Sequence, residues 1–506
     1  MRKWINRLFH VFYAQRYRRM AYIMRHPHES QQAWLKRLLE TAQTTEWGRN
    51  YGFGDIRTPE AYARRLPVQD YEQFKPYIER MMKGERDLLW PGRVQWFSKS
   101  SGTTSEKSKF IPVTSQNLRQ CHIRGTWDTM TLFYQNRPDA RQFEYKSMLM
   151  GGSLQPFPGY PQTIIGDVSA IMISHMPWAG RPFFTPDFKT ALLPDWETKL
   201  EKLALAGAQE PNIVMIGGVP TWTVVLLRRI LEVTGKKHML EVWPHFQGYI
   251  HGGVSFAPYR SQFSEFFPSE NVSYQEIYNA SESYFAVQDD FNRDDMLLLV
   301  DNGIYYEFLP IAEWGKEFPT AVPLSEVQTG RQYALVITTN SGLWRYLPGD
   351  TVAFTSTNPY RIRITGRTKQ FVNAFGEEVV VENTDRALAE TCRVTGATVI
   401  DYTVAPVYFQ GLGKGSHEWL IEFETPPDNL DEFNHLLDHN LQKLNSDYEA
   451  KRYKGMALEK PKLRLLPPGT FHNWLRAKGK FGGQNKVPRL ANHREIVEDI
   501  LSFVGK

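Results

Sequence analysis

One segment of the sequence concentrates side chains that bind anions. Residues 97–109 read Phe-Ser-Lys-Ser-Ser-Gly-Thr-Thr-Ser-Glu-Lys-Ser-Lys, which brings hydroxyl groups, one glycine and three lysines together. A glycine such as Gly102 allows close approach of the backbone, while hydroxyls donate hydrogen bonds and lysines neutralise negative charge. The segment favours a phosphate-binding loop, although a solvated serine-rich turn has a similar composition. It is not a Walker loop, because the pattern G-x-x-x-x-G-K-[ST] does not occur in it.

Three further segments place polar or charged side chains beside apolar residues and glycines. They are residues 278–282 (Tyr-Asn-Ala-Ser-Glu), 344–350 (Trp-Arg-Tyr-Leu-Pro-Gly-Asp) and 482–489 (Gly-Gly-Gln-Asn-Lys-Val-Pro-Arg). Each is weak evidence by itself. A Gly-Asp pair is usually a turn, and a glycine-rich basic segment near a terminus is usually a flexible tail.

The composition is that of an ordinary globular protein. The 506 residues suffice for about three domains of average size, and 42% hydrophobic with 23% charged residues exclude a disordered or fibrous chain. A net charge of +5 is too small to indicate a nucleic-acid-binding protein. The cysteines, Cys121 and Cys392, are too few for a zinc site or a disulfide framework and are typical of a cytoplasmic protein.

The N-terminal residues 1–45 have the pattern of helices. Trp4, Ile5, Leu8, Phe9 and Phe12 recur at helical spacing, and arginines follow them. A basic amphipathic helix can lie on a membrane surface, but more often it packs its apolar stripe against its own domain. The segment has neither the apolar run nor the cleavage site of a signal peptide, and no run in the sequence approaches the roughly 18 apolar residues of a transmembrane helix.

Alternating patterns beyond residue 200 predict an α/β fold. Residues 213–220 form an apolar run ending at glycines and a proline, and residues 221–233 have helical spacing. Further strands are predicted at 333–339 and 361–365. We place a domain boundary after Arg367, which divides the chain into a large domain (1–367) and a small one (368–506).

The small domain is expected to contain a hairpin and a long helix. The hairpin joins residues 404–409 to residues 419–423, and the helix covers residues 431–448. The intervening Gly-Leu-Gly-Lys-Gly-Ser at 411–416 lies between two strands rather than before a helix, so we interpret it as a turn and not as a nucleotide loop.

Taken in order, the four polar segments resemble the adenylate-forming enzyme superfamily, and within it the auxin-responsive promoter family of acyl acid amido synthetases. The resemblance covers nearly the whole chain, beginning with the lead-in at residues 66–78. Ser105 stands where that family commonly has glycine, although the lysine spacing of the loop matches. The resemblance implies a large α/β domain of mixed sheets, packed helices and a β-barrel-like part, followed by a small mobile α+β domain.

The resemblance also implies an ATP site that uses Mg²⁺. The phosphates would contact Ser100, Ser101, Gly102, Thr103, Thr104 and Lys109, and the nucleoside would contact Tyr278, Ser281, Asp350 and Arg367. Glu282 would be the magnesium ligand, since Mg²⁺ on phosphates takes one or two carboxylates. Lys486 would be the catalytic lysine. Their alternative roles are a surface salt bridge for Glu282 and a solvated tail for Lys486.

The implied reaction is the ATP-dependent joining of a carboxylic acid to the amine of an amino acid through an acyl-AMP. Its partners would be small molecules, with no role for nucleic acid. Val219, Trp222, Phe246 and Tyr249 could line an apolar pocket for the acid, although each is individually more typical of a core. Two alternatives stay open: an enzyme that passes the acyl group to coenzyme A, and a catalytically silent nucleotide-binding module.

Overall fold

The computed structural model describes residues 2–99, 109–368, 371–372, 377, 379–407, 415–452, 458–479 and 486–505. The candidate phosphate contacts at residues 100–104 lie outside the described residues. Most of the predicted turn at 411–416 and the first half of the segment at 482–489 also lie outside them. The other helix and strand predictions can be compared with the structure.

The described residues form helices of very different lengths. Those in the first half are α1 (Arg2–Arg25), α2 (Pro27–Ala42), α3 (Glu46–Asn50), α4 (Pro59–Arg65), α5 (Tyr71–Met82), α6 (Ser115–Asn117), α7 (Arg124–Asn136), α8 (Val168–Ser174), α9 (Phe188–Ala191), α10 (Trp196–Gln209) and α11 (Pro220–Thr234). The later ones are α12 (Arg260–Phe266), α13 (Val381–Thr395), α14 (Leu430–Leu444), α15 (Ser446–Arg452), α16 (Thr470–Ala477) and α17 (Glu495–Val504). A π-helical turn, Leu118–Ile123, precedes α7, and 3₁₀ turns include Trp178–Phe183 and Ala257–Tyr259.

The strands alternate with these helices. Those before residue 300 are β1 (Trp96–Lys99), β2 (Phe110–Val113), β3 (Lys146–Met148), β4 (Leu154–Phe157), β5 (Tyr160–Gly166), β6 (Phe184–Thr185), β7 (Ile213–Gly218), β8 (Gly248–Gly252), β9 (Ser273–Asn279), β10 (Tyr284–Val287) and β11 (Met296–Leu298). The later ones are β12 (Ile304–Pro310), β13 (Val322–Pro323), β14 (Gln332–Thr339), β15 (Asp350–Thr357), β16 (Tyr360–Arg367), β17 (Phe371–Val372), β18 (Val379–Val380), β19 (Thr398–Val407), β20 (Ser416–Thr425) and β21 (Lys462–Leu466).

One large mixed sheet organises the first 367 residues. Its strand order is β13-β12-β14-β15-β16-β11-β10-β9-β8-β7-β3-β6. The strands from β9 to β6 run parallel, and those from β10 to β13 are antiparallel. A separate sheet, β2-β1-β5-β4, holds the two strands that flank residues 100–108. These sheets confirm the predicted α/β class and the strands predicted at 213–220, 333–339 and 361–365.

The C-terminal residues form a smaller α+β unit with their own buried clusters. Its sheet has the order β19-β20-β21, and the predicted hairpin is present as the antiparallel pair β19 and β20. Two hydrophobic clusters consist entirely of residues beyond 371. The single helix predicted at 431–448 is wrong in one respect: it breaks into α14 and α15. Asn445 has an extended backbone between them, and its Oδ1 accepts a hydrogen bond from the Tyr448 backbone N–H at 2.7 Å.

The N-terminal helix packs one of its faces against the large sheet's helices. Asn6, Tyr13 and Met20 of α1 are buried, and Phe9 stacks on Phe143 with ring centroids 3.5 Å apart. Arg16 Nε donates to Asp128 of α7 at 2.7 Å. Intramolecular packing is therefore confirmed for this face. No described helix has the length and apolar character needed to cross a membrane.

Candidate active site

The candidate site lies where the parallel strands of the large sheet end. Strands β7, β8 and β9 are parallel neighbours in register, so their carboxyl ends meet at one edge of the sheet, where α/β proteins bind ligands. Residues Val219, Gly253 and Ala280 directly follow these three ends. The hairpin of β15 and β16 brings Asp350 opposite Arg367 at the same place.

Asp350 is held between two polar side chains. The Tyr278 hydroxyl donates to Asp350 Oδ2 at 2.7 Å, and Arg367 Nε donates to Asp350 Oδ1 at 2.8 Å. Burial, and then the negative charge of Asp350, raise the pKa of Tyr278, so its hydroxyl stays protonated and can donate. Three of the four predicted nucleoside contacts, Tyr278, Asp350 and Arg367, thus form one hydrogen-bonded chain. It orients a carboxylate at the sheet edge.

Glu282 is a buried carboxyl group beside this chain. Only 7% of the residue is exposed, and burial, reinforced by the charge of Asp350, raises its pKa to about 7. Arg367 and Lys109 act in the opposite direction. Glu282 has no salt bridge within the described part of the chain, which argues against the alternative of a surface ion pair. Ser281, the neighbouring candidate, is half-buried.

Lys486 enters the site from the C-terminal unit. Its Nζ donates to the carbonyl oxygen of Gly253, 233 residues earlier in the chain. Burial, and then the positive charge of Arg367, lower the pKa of Lys486 to about 8, while Asp350 partly opposes the shift. The nearest atoms to a Cβ built on Gly253 would be Lys486 Nζ at 3.0 Å and Val219 Cγ2 at 3.4 Å. Lys486 therefore contacts the edge of the sheet at Gly253 and does not belong to a solvated tail.

The phosphate-loop candidates are anchored at both described ends. Lys99 and Phe110 are paired residues of the antiparallel strands β1 and β2, so the segment between them starts and finishes at neighbouring positions. Lys109 Nζ lies 5.6 Å from the centroid of the Tyr71 ring. The Tyr71 hydroxyl accepts from the Phe110 backbone N–H at 2.9 Å, which links this hairpin to the start of α5.

The lead-in at residues 66–78 packs on the segment that carries Asp350. Gln69 N–H donates to the Arg345 carbonyl at 3.0 Å, and Leu347 N–H donates to the Gln69 carbonyl at 2.8 Å. The Arg345 guanidinium is buried and makes two 2.9 Å bonds to Glu307. Arg345 is thus a structural residue that fixes the backbone leading to Asp350. Its backbone contact with Gln69 explains why the lead-in at 66–78 occurs together with the segment at 344–350.

The four acid-pocket candidates have different surroundings. Phe246 stacks on Phe267 with centroids 4.1 Å apart, inside the core behind the sheet. Tyr249 stacks on Phe263 and donates its hydroxyl to the Gly218 carbonyl at 2.9 Å. Val219 and Trp222 are half-buried at the start of α11, and Val219 borders Lys486.

Several polar groups near the site were not predicted from the sequence. Gly253, which accepts the bond from Lys486, was detectable only as a glycine after a short apolar run. The Tyr346 hydroxyl is buried, lacks a hydrogen-bond partner in the described chain, and lies within electrostatic reach of Glu282. His122, on the π-helical turn, contacts Asn279 Oδ1 at 3.3 Å, and burial lowers its pKa to about 4.

Family models match most of the chain. The model of the GH3 family N-terminal domain matches residues 16–219 and 162–272. The model of the GH3 family central domain matches residues 297–367, and that of the GH3 family C-terminal domain matches residues 382–495. Together these matches include every candidate site residue from Ser100 to Tyr249, and also Asp350, Arg367 and Lys486.

Individual proteins are similar over nearly the full chain. The indole-3-acetic acid-amido synthetase GH3.3 of Arabidopsis thaliana is 22% identical, with 92% of this chain and 89% of that protein covered. The structure resembles the AtGH3.15 acyl acid amido synthetase in complex with 2,4-DB, with a TM-score of 0.76, 17% identity, and coverage of 94% and 93%. It also resembles 2-hydroxyisobutyryl-CoA ligase in the postadenylation state, with a TM-score of 0.61, 12% identity, and coverage of 94% and 91%. These likenesses confirm the predicted fold.

Proposed function

The chain belongs to the GH3 family, and on that premise we propose that it is an ATP-dependent ligase that joins a carboxylic acid to the amine of an amino acid. Family membership confirms the resemblance predicted from the four polar segments. The observation that carries the proposal is the position of Lys486, whose ammonium group lies within electrostatic reach of Asp350 and Arg367. A catalytically silent module would not need a half-buried lysine beside those two side chains.

The residues at the sheet edge fit a nucleotide. Asp350 is held by Tyr278 and Arg367, so its carboxylate is oriented and can accept hydrogen bonds from two ribose hydroxyls. Arg367 donates to Asp350 and also to the Pro348 carbonyl, 3.3 Å away, so its guanidinium is fixed beside the proposed ribose and phosphate position. The proposal assigns the β- and γ-phosphates to residues 100–104 and Lys109, on the strength of the sequence pattern and the anchored ends of the hairpin.

Glu282 fits a magnesium ligand. A carboxyl group with its pKa raised to about 7 by burial is stabilised as the anion when a cation lies beside it. Mg²⁺ bound to a nucleotide takes one or two carboxylates together with phosphate oxygens, so a single carboxylate such as Glu282 is sufficient. When bound there, Mg²⁺ would neutralise phosphate charge.

Lys486 is proposed to act in the first half-reaction. A carboxylate oxygen of the acid attacks the α-phosphorus of ATP, the bond to the β-phosphate oxygen breaks, and pyrophosphate leaves. Negative charge accumulates between the two reacting anions, and the Lys486 ammonium group is positioned to neutralise it. A buried cation is more effective in this role than an exposed one, because water screens it less.

The second half-reaction transfers the acyl group. The amine nitrogen of an amino acid attacks the acyl carbon, the bond to AMP breaks, and the amine loses a proton as the amide forms. Val219 and Trp222 support an acid site next to the reacting phosphate, because they follow β7 at the sheet edge and Val219 borders Lys486. Phe246 and Tyr249 lie in the core behind the sheet, and we propose that they support the wall of this pocket without contacting the acid.

The proposed boundary between the two domains remains after Arg367. The family models leave residues 368–381 unmatched between their central and C-terminal domains. The hydrophobic clusters divide in the same way, since none combines residues from before 367 with residues beyond 371 in the described chain. This separation supports a C-terminal unit that can move as a body and carry Lys486 toward the site.

The first test is ATP–pyrophosphate exchange that depends on an added acid. A panel of indolyl, aryl, jasmonate-like and fatty acids should include one class that stimulates exchange, and Lys486→Ala should abolish most of it. Amino acids are then added, and the amide is identified by mass spectrometry. If the protein binds ATP but none of the acids stimulates exchange, the ligase proposal is overturned.

The same assay separates the alternatives. Coenzyme A added in place of amino acids should release no thioester if the proposed acceptor is correct. A thioester formed more rapidly than any amide would favour the acyl-CoA synthetase alternative instead. The silent-module alternative predicts ATP binding without exchange in the wild-type protein and no difference for the Lys486 variant.

A further inference from the structure

We propose that the outward face of α1 docks on an anionic membrane surface. This face consists of Trp4, Leu8, Val11 and Phe12, whose exposed fractions are 70%, 66%, 57% and 41%. The proposal concerns a surface distant from the sheet edge, and it does not depend on the ligase activity.

The outward face cannot be explained by the packing of the helix. The buried residues of α1, Asn6, Tyr13 and Met20, follow one another at intervals of seven along its opposite side. Trp4, Leu8 and Val11 are spaced by four and three residues, so they form a second stripe that the fold leaves in water. Surface residues of this size are normally scattered singly, and a contiguous apolar stripe usually marks an interaction site.

The charge of α1 identifies the kind of partner. Residues 2–25 contain six arginines, one lysine and no acidic residue, which makes their formal charge +7. The whole chain has 60 basic and 55 acidic side chains, so the other residues carry 53 and 55, a net charge of −2. Lys3 and Arg7 adjoin the outward face, and neither forms a salt bridge in the described chain.

A second element with an exposed tryptophan adjoins α1. The 3₁₀ turn Trp178–Phe183 meets the beginning of α1, where the Arg2 guanidinium lies 5.9 Å from the centroid of the Phe183 ring. This turn exposes Trp178 to 82%, the largest exposed fraction among the exposed large hydrophobic residues. No acidic residue occurs between residues 168 and 186. Two exposed tryptophans among basic residues are typical of segments that lie in a membrane interface.

Other occupants fit these features less well. A second copy of the chain would bring two helices of charge +7 into contact, and like charges at that density repel each other. A nucleic acid would match the charge but not the apolar stripe, because its phosphate backbone offers no apolar surface against which Trp4 and Leu8 could be buried. An anionic bilayer offers both negative headgroups and an apolar layer beneath them.

The test is cosedimentation of the full-length chain with lipid vesicles. We expect binding to phosphatidylcholine vesicles that contain about 30% phosphatidylserine, weak binding to phosphatidylcholine alone, and release as the salt concentration rises. Replacing Lys3→Glu and Arg7→Glu together should weaken binding by at least about 25-fold, from about fivefold per cation. The matched control is Lys236→Glu with Lys237→Glu, two exposed lysines in the turn after α11.

The apolar part of the surface has its own variants. Trp4→Ser with Leu8→Ser should weaken binding by about tenfold or more, whereas Phe318→Ser, at a residue with an exposed fraction of 76%, should not. Thermal melts check that each variant folds. Equal binding to neutral and anionic vesicles, no binding to either, or wild-type binding by the charge or apolar variants would overturn the proposal. A dimer that the Trp4 and Leu8 changes dissociate, without vesicle binding, would assign the surface to a second copy.

Discussion

Two titratable side chains with opposite pKa shifts share the candidate site. Burial raises the pKa of Glu282 to about 7 and lowers the pKa of Lys486 to about 8. Both shifts disfavour the charged form, yet the proposed chemistry needs a Glu282 carboxylate and a Lys486 ammonium group. Shifts of this kind cluster at functional sites. A bound cation would stabilise the Glu282 carboxylate, and bound phosphates would stabilise the Lys486 ammonium group.

These shifts predict a narrow pH optimum. Glu282 becomes a carboxylate only as the pH rises through about 7, and Lys486 loses its proton as the pH rises through about 8. We therefore expect kcat/KM for ATP–pyrophosphate exchange to rise through the first value and fall beyond the second, because this parameter reports the free enzyme. Lys486→Arg should move the falling limb to higher pH. A flat profile between about pH 6 and pH 9 would contradict the assignment.

The charge of Lys486 can be tested by its removal. Lys486→Ala should lower the rate of adenylation by about two to three orders of magnitude, the usual effect of losing one group that stabilises charge in a transition state. Lys462→Ala is the matched control, since Lys462 is an exposed lysine of β21 in the same C-terminal unit. Equal exchange rates for the two variants would remove Lys486 from the mechanism.

At the scale of elements, the turn after β8 positions Lys486. Gly253 has a φ of +84°, and a Cβ there would lie 3.0 Å from Lys486 Nζ. Gly253→Ala should therefore both strain the backbone and displace the lysine, which lowers adenylation by tenfold or more, roughly the effect expected of a small misplacement of a catalytic group.

Gly235→Ala provides the control for backbone strain. Gly235 ends α11 with a φ of +65°, and a Cβ there would meet nothing within 4 Å. This variant should lose about 1 kcal/mol of stability, because an alanine tolerates positive φ less well than glycine, while its exchange rate stays at the wild-type value. If Gly253→Ala behaves like Gly235→Ala, the contact with Lys486 does not matter for activity.

A buried ion pair joins β12 to the segment that carries Asp350. Arg345→Met would leave Glu307 as an unpaired buried carboxyl group, which should reduce the free energy of unfolding by about 3–5 kcal/mol. Adding Glu307→Leu should restore part of that loss, since it removes the unpaired carboxyl group, while the Ala63 and Leu66 carbonyls still lack the donor that Arg345 provides. Urea unfolding measures both effects, with Arg86→Met as an exposed control. A double variant no more stable than Arg345→Met would contradict this account.

At the scale of the whole molecule, polar contacts hold the C-terminal unit against the large domain. Arg363 donates to Glu382 at 2.9 Å, and the Tyr259 hydroxyl donates to the Ile400 carbonyl at 3.4 Å. Two more exposed pairs, Arg228 with Glu424 and Arg476 with Glu197, lie at the edge of the same interface. This arrangement brings Lys486 to Gly253, so the contacts stabilise the form that we propose for adenylation.

Removal of the edge pairs should shift that equilibrium. Arg228→Ser combined with Arg476→Ser removes two exposed ion pairs worth about 0–1 kcal/mol each, so adenylation should fall by up to about tenfold. Hydrogen exchange in residues 486–490 should increase at the same time. Arg229→Ser is the control, because Arg229 pairs with Glu201 and Glu232 within the large domain. Unchanged exchange in the double variant would show that these pairs do not hold the closed form.

The sequence by itself determined the family and most of the secondary structure. The candidate site residues needed no structure to be proposed, because a hydroxyl-rich segment, a Tyr-to-Glu segment and a Gly-Asp pair are local patterns that can be recognised in consecutive residues. Strand and helix patterns at 213–233 and in the N-terminal 45 residues were readable for the same reason: burial of one face imposes a period on consecutive residues.

Tertiary structure alone decided which of these residues meet. Lys486 and Gly253 are 233 residues apart, and no local pattern specifies sheet register or the docking of one domain on another. Phe246 and Val219 have similar sequence surroundings, yet only the order of the strands places one in the core and the other beside Lys486. The helical period of α1 likewise marked its apolar residues, but which stripe is buried and which faces water depends on α7, more than a hundred residues away.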